Sequence, residues 1–126
     1  MLEQFLAEAS RSPIVWSVND CAMMLANWWH RKHGVDPAAD LRGTYATEQE
    51  CEELVVRKGG ILAVVREIAE GVEATPTDRP VRGDIGVIEV HGTVFAAILG
   101  PSGRWMVKAD RGLAGHRCGF LMAWSV

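Results

Sequence analysis

The spacing of apolar residues changes once along this chain, near Gly71, and that change constrains the fold more than any other feature. Before it, apolar residues recur every three or four positions, as at Leu2, Phe5 and Leu6, which is the period of an amphipathic helix. After it, short runs rich in Val, Ile and Gly alternate with turn residues, which is the pattern of strands joined by hairpins. Helices followed by a run of antiparallel strands predict an α+β domain.

The first half predicts four helices with identifiable ends. They are expected at Leu2 to Ser10, from Asn19 or Asp20 to about His33, from the Thr47 capping box to Gly59-Gly60, and at Ile61 to Glu70. The capping box, Thr-Glu-Gln-Glu, works because the threonine oxygen accepts from the N3 amide while the last glutamate reaches back. Gly34 and Gly71 are placed to end the second and fourth helices.

The second half predicts a small antiparallel sheet. Strands are expected at about Asp84 to Val90, Thr93 to Leu99, Trp105 to Ala109 and Phe120 to Ser125. His91-Gly92 resembles a two-residue hairpin loop, with glycine where a positive φ is needed. Because domains of roughly 100 to 150 residues are the commonest size, we expect residues 1–126 to form a single domain.

Charge and hydropathy exclude several classes of protein. The net charge is −3 and acidic and basic residues are interspersed, so we expect no nucleic-acid partner. The segment from Met1 to Leu6 has no basic residue and contains a glutamate, so it does not predict a signal peptide. No apolar run approaches the roughly 18 to 20 residues that span a bilayer. We therefore expect a protein made and folded in the cytoplasm, without a membrane span.

Neither disulfides nor a metal are predicted. The three cysteines, Cys21, Cys51 and Cys118, form no Cys-x-x-Cys spacing, and their odd number leaves at least one thiol unpaired. His116 and Cys118 make the nearest approach to a metal-ligand pair, but that spacing is too common to indicate zinc. We expect no metal and no cofactor.

Cys21 is the residue with the strongest chemical signal, since it follows Asn19 and Asp20 at the predicted start of a helix. Backbone N–H groups and the positive helix end favour a thiolate there, which is the nucleophilic form. Cys21, Leu25 and Trp28 also recur at helical spacing, which places the thiol on the buried face. Cys21 is therefore either a nucleophile or a small buried apolar residue, and Asp20 is predicted to be a helix cap.

Several short motifs resemble those of the NlpC-type cell-wall peptidases, in the same order. The segment from Trp16 to Ala22, Trp-Ser-Val-Asn-Asp-Cys-Ala, resembles the nucleophile motif that opens a helix in that family. Arg82 to Ile88 resembles the family's Gly-Asp-Leu strand, and Phe95 to Gly100 resembles the strand that follows it. The resemblance covers Trp16 to Ala109, and it implies a papain-like fold with the thiol-bearing helix packed on the sheet.

The chain most resembles small members of that superfamily found among bacteriophage and prophage tail genes. The shared features are the Trp-x-x-x-Asp-Cys-Ala opening, Leu-Arg-Gly-x-Tyr at 41–45, Gly59-Gly60, the Gly-Asp strand and Ala-Trp-x-Val at 123–126. The resemblance implies a tail-associated protein that is incorporated in the virion tail, with phage tail proteins or peptidoglycan as its partners.

The resemblance also shows where a catalytic base is missing. In active NlpC-like peptidases a histidine opens the second of these strands, and a polar residue on the next strand orients it. The same alignment places Val94 and Lys108 at those positions. Neither valine nor protonated lysine accepts a proton from a thiol.

Two other histidines remain candidate bases. His91 lies three residues before Val94 and is more simply a solvent-exposed turn residue, while His116 lies in a Gly-rich segment that we predict to be a loop. His30 and His33 are excluded, because a helix places them about 14 to 18 Å from Cys21.

Three functions follow as hypotheses. The first is a structural or interaction module of a phage tail with a degenerate catalytic site. The second is an active cysteine amidase or peptidase that cleaves peptidoglycan stem peptides, with Cys21 as nucleophile and His91 or His116 as base. The third is a thiol-bearing protein that binds tail or host-envelope partners.

Overall fold

Helices occupy the first half of the chain and strands the second, so the α+β prediction is confirmed. The computed structural model describes all of residues 1–126. The elements are α1 (Leu2–Arg11), α2 (Cys21–His33), α3 (Glu48–Lys58), α4 (Ile61–Gly71), β1 (Ile85–Val90), β2 (Thr93–Leu99), β3 (Trp105–Ala109), β4 (Gly112–His116) and β5 (Met122–Trp124). None of the helices is long and apolar enough to cross a membrane.

The five strands form one antiparallel sheet in the order β4-β3-β2-β1-β5. The hairpin predicted between β1 and β2 is confirmed, because Val90 pairs with Thr93 around the two-residue turn. His91 and Gly92 both have positive φ there, at 50° and 82°, as this class of turn requires. After β3 and β4, the chain returns to the other side of β1, where Ile85 pairs with Trp124 of β5.

The prediction of a loop around His116 is wrong, because Gly112–His116 is the edge strand β4. It pairs with β3 from Ala109 opposite Gly112 to Trp105 opposite His116. Glycine lowers strand propensity, so the segment carries little strand signal of its own. The φ of 110° at Gly112 permits the tight reversal after β3, and pairing with that strand then fixes the conformation.

The helices cover one face of the sheet. The main hydrophobic cluster joins buried residues of α1, α2 and α4 to the inward residues of β1 and β2: Leu2, Phe5, Leu6, Ala9, Met24, Leu25, Trp28, Val65, Ala69, Ile85, Val87, Ala96 and Ile98. The opposite face carries a second set, with Ile88, Ala97 and Val107 packed beneath Trp105. A Cβ at Gly86 would lie 2.8 Å from the Trp105 ring, so this position requires glycine.

The Gly-Asp pair before β1 joins three parts of the fold. The indole Nε1 of Trp28 donates to the carbonyl of Gly83 at 2.7 Å, which fixes α2 against the sheet. The buried carboxylate of Asp84 accepts from the N–H groups of Val81, at 2.8 Å, and Val126, at 3.1 Å. The Trp28 hydrogen bond helps to position α2, which carries Cys21, and the Asp84 hydrogen bonds tie the segment before β1 to residue 126.

Candidate functional site

Cys21 is the first residue of α2, and Asp20 is the N-cap of that helix. The Oδ1 atom of Asp20 accepts from Met23 N at 3.1 Å, and Oδ2 accepts from Ser17 N at 2.9 Å. The helix ends at Gly34 in the left-handed conformation, φ 77°. The predicted cap and both helix ends are confirmed, with Asp20 rather than Asn19 as the cap.

Tyr45 completes the environment of Asp20. Its hydroxyl donates to Asp20 Oδ2 at 2.6 Å, although 25 residues separate the two in the chain. Burial and this hydrogen bond raise the pKa of Tyr45 far above its ordinary value, so the hydroxyl stays protonated. The Asp20 carboxylate, only 2% exposed, thus accepts three hydrogen bonds and has no cationic partner.

The Leu-Arg-Gly-x-Tyr segment holds the loop that precedes Cys21. Arg42 donates to the carbonyl of Val18 and to Oδ1 of Asn27, both at 2.7 Å. The N–H of Gly43 donates to Oγ of Ser17 at 2.9 Å. The segment is therefore the structural support of the thiol loop.

The Cys21 thiol donates to the main-chain carbonyl of Lys108 at 3.5 Å. Burial and the neighbouring Asp20 charge raise the pKa of the thiol above its ordinary value. The backbone N–H at the helix start does lower this pKa, as expected, but the net shift is upward. Loss of hydration and the nearby carboxylate outweigh the partial charge of the helix end.

The side chain of Lys108 turns away to a structural role. Its ammonium donates to the carbonyl oxygens of Ser12 at 2.5 Å, Ala109 at 3.0 Å and Gly112 at 3.3 Å. Burial lowers the pKa of this amine, and the residue is only 2% exposed. Lys108 thereby ties the chain after α1 to the β3–β4 turn.

The two positions that the family resemblance assigned to the base and its partner lie on β2 and β3, the strands on which α2 packs. Val94 lines the same cavity as Cys21, and the main chain of Lys108 accepts from the thiol. The hydrogen-bond partner of the thiol is this carbonyl oxygen, and neither position supplies a histidine.

The candidate histidines lie elsewhere. His91 is exposed at the tip of the β1–β2 hairpin. The His116 ring is stacked against Phe95, with centroids 6.3 Å apart and planes at 12°. No hydrogen bond joins either imidazole to Cys21, whose partner is Lys108. The catalytic roles of Cys21 and His91 stay predictions.

A cavity of about 490 Å³ opens beside Cys21, between the start of α2, α3 and the start of β2. It is lined by Trp16, Asp20, Cys21, Ala22, Met23, Leu41, Tyr45, Glu48, Cys51, Glu52, Leu54, Val55, Val56, Ile61, Val64, Thr93, Val94 and Phe95. A second thiol, Cys51, lies in this wall, and burial and the Asp20 charge raise its pKa to about 11.

Sequence reasoning missed two members of this site. Tyr45 stood in the Leu-Arg-Gly-x-Tyr motif, which marked it without showing its contact with Asp20. Cys51 had no motif, and only the packing of α3 brings it to the cavity. No three His, Cys, Asp or Glu side chains are grouped so as to hold a metal ion.

Comparison with known proteins gives a family without an assigned activity. The family model described as a domain of unknown function, DUF6950, matches residues 1–126, so the chain belongs to that family. No curated protein and no solved structure matches the chain.

Proposed function

We propose that this DUF6950 protein is a non-catalytic structural or interaction module, an NlpC-like relative with a papain-like fold that acts in or beside a phage or prophage tail. The observation that carries the proposal is the environment of Cys21. Its thiol donates to the carbonyl oxygen of Lys108 at 3.5 Å and borders a mostly apolar cavity. In an active thiol peptidase, the hydrogen-bond partner of the thiol is a base.

The electrostatics of the site support the absence of catalysis. A cysteine nucleophile acts as the thiolate, but burial and Asp20 raise the pKa of Cys21 and so keep it protonated at neutral pH. A carbonyl acceptor interacts favourably only with the S–H form. The N–H of Met23, in the first turn of α2, is already bonded to Asp20 and is not available to an oxyanion.

The arrangement of elements supports descent from a papain-like fold. The thiol-bearing helix α2 packs on β2 and β3 of an antiparallel sheet, Val94 of β2 lines the same cavity as Cys21, and the carbonyl of Lys108 in β3 accepts from the thiol. Tail association and virion incorporation after cytoplasmic synthesis rest on the phage-type motifs, among them Leu-Arg-Gly-x-Tyr. Peptidoglycan is the alternative partner if the site is active.

The purified protein is expected to release no new amino termini from peptidoglycan stem peptides, because the Cys21 thiol is hydrogen-bonded to a carbonyl oxygen and not to a base. The measurement is the rate of amide cleavage for the unchanged protein, for Cys21→Ala and for Cys118→Ala, whose thiol is exposed and outside the cavity. All three are expected to equal the buffer rate. Cleavage that persists in Cys118→Ala and vanishes in Cys21→Ala would overturn the proposal in favour of a cysteine amidase.

The tail assignment has its own readout. Mass spectrometry of tail particles purified after prophage induction is expected to detect this protein in constant proportion to the major tail protein. Its absence from the particles would contradict virion incorporation.

A further inference from the structure

The cavity beside Cys21 has the size and the wall of a ligand site. Its volume, about 490 Å³, lies within the roughly 300 to 1,000 Å³ of small-molecule pockets. Most of its wall is apolar, with Trp16, Val55 and Val94 among the lining side chains. An apolar group that enters the cavity leaves water, and the burial of its surface contributes favourable binding free energy.

The charges around this cavity all have one sign. Asp20 lies in the wall, and Glu48 and Glu52 line it from one face of α3, four residues apart. No salt bridge involves these three carboxylates, and no Lys, Arg or His lines the cavity.

The carboxylates differ in what they offer a ligand. The oxygens of Asp20 already accept from Ser17, Met23 and Tyr45, so Asp20 acts through its field, which also raises the pKa of Cys21. Glu48 and Glu52 are exposed and have no side-chain hydrogen bond. They are free to meet a cation directly.

We propose that this cavity binds an amphipathic cation: an aliphatic chain that ends in an ammonium group beside Glu48 and Glu52. The chain lies along the apolar wall and its charged end stays near water, as lysine side chains do at protein surfaces. An anion of the same length is repelled by the three carboxylates. This inference rests on the proposed function, since it treats the cavity as a binding site.

Such a cation has two sources that share one chemistry, a lysine side chain of a partner protein and a free alkylamine. Three probes of equal length separate charge from apolarity: hexylamine, hexanol and hexanoate. A fourth probe, Nα-acetyl-lysine N-methylamide, presents the lysine side chain with its free ammonium group on a peptide backbone. Binding to the unchanged protein is measured by the titration of its backbone amide NMR signals.

Hexylamine is expected to shift the signals of cavity residues and to bind about fivefold more tightly than hexanol, with hexanoate weakest. Glu48→Gln and Glu52→Gln are each expected to reduce that preference and to leave hexanol binding unchanged. Glu53→Gln is the matched control, because this glutamate lies on the same helix outside the cavity, and it is expected to keep the preference.

The outcomes separate the possibilities. Binding of hexylamine and the lysine derivative alike supports a protein side chain as occupant, and binding of hexylamine alone supports a free amine. Equal affinity for hexylamine and hexanol, a preference for hexanoate, or no shift of cavity signals would overturn the inference. The proposed function fails independently, through stem-peptide cleavage, whatever the probes show.

Discussion

Asp20→Ala is expected to lower the free energy of unfolding by about 3 to 5 kcal/mol. The substitution removes the N-cap of α2, which is worth about 1 kcal/mol by itself. It also leaves the Tyr45 hydroxyl and the Ser17 N–H without their acceptor. A buried donor left unpaired costs about 1 to 3 kcal/mol.

Urea unfolding measures this loss, and Thr47→Ala is the matched control. Thr47 caps α3 through the same kind of hydrogen bond, to Glu50 N at 3.1 Å, but at an exposed position. Its loss is expected to cost only about 1 kcal/mol. If Asp20→Ala were no more destabilising than Thr47→Ala, Asp20 would have no structural role beyond a cap.

A double-mutant cycle isolates the contact between Asp20 and Tyr45. Tyr45→Phe removes the hydroxyl alone, so its cost is expected to be smaller in the Asp20→Ala background than in the unchanged protein. Additive costs would contradict a direct hydrogen bond.

Lys108→Met is expected to lower the free energy of unfolding by about 2 to 4 kcal/mol, because three carbonyl oxygens lose a charged donor. Methionine keeps most of the length and apolar volume of the lysine side chain, so the change reports mainly on the ammonium group. At this chain length the midpoint of thermal unfolding is expected to fall by about 8 to 16 °C.

Lys58→Met is the control for Lys108→Met. Lys58 pairs with Glu67 at 2.9 Å on the surface, and such exposed ion pairs contribute about 1 kcal/mol or less. Equal effects of the two substitutions would show that Lys108 does not join the end of α1 to the β3–β4 turn.

The elements that sequence reasoning located are those specified by neighbouring residues. The Thr47 capping box and Gly34 fix helix ends through contacts within one turn of the chain, and the structure has both. The edge strand β4 was missed because its conformation depends on pairing with β3 and not on its own glycine-rich composition.

At the site, the position of Cys21 was predictable and its chemistry was not. The helix start is a local property, and it correctly placed the thiol at the first residue of α2. The raised pKa of the thiol depends on burial and on Asp20. The contact of the thiol with Lys108 spans 87 residues, so no local pattern contains it.

Whether Cys21 is a nucleophile can be decided from the pH dependence of its alkylation. With Cys51→Ala and Cys118→Ser, Cys21 is the only thiol left. The rate of reaction with iodoacetamide follows the thiolate fraction, so its midpoint reports the thiol pKa. Because burial and Asp20 raise that pKa, the midpoint is expected above the roughly 8.5 of free cysteine, with slow reaction at pH 7. A midpoint below about 7 would instead show an activated catalytic cysteine and overturn the proposal of a non-catalytic module.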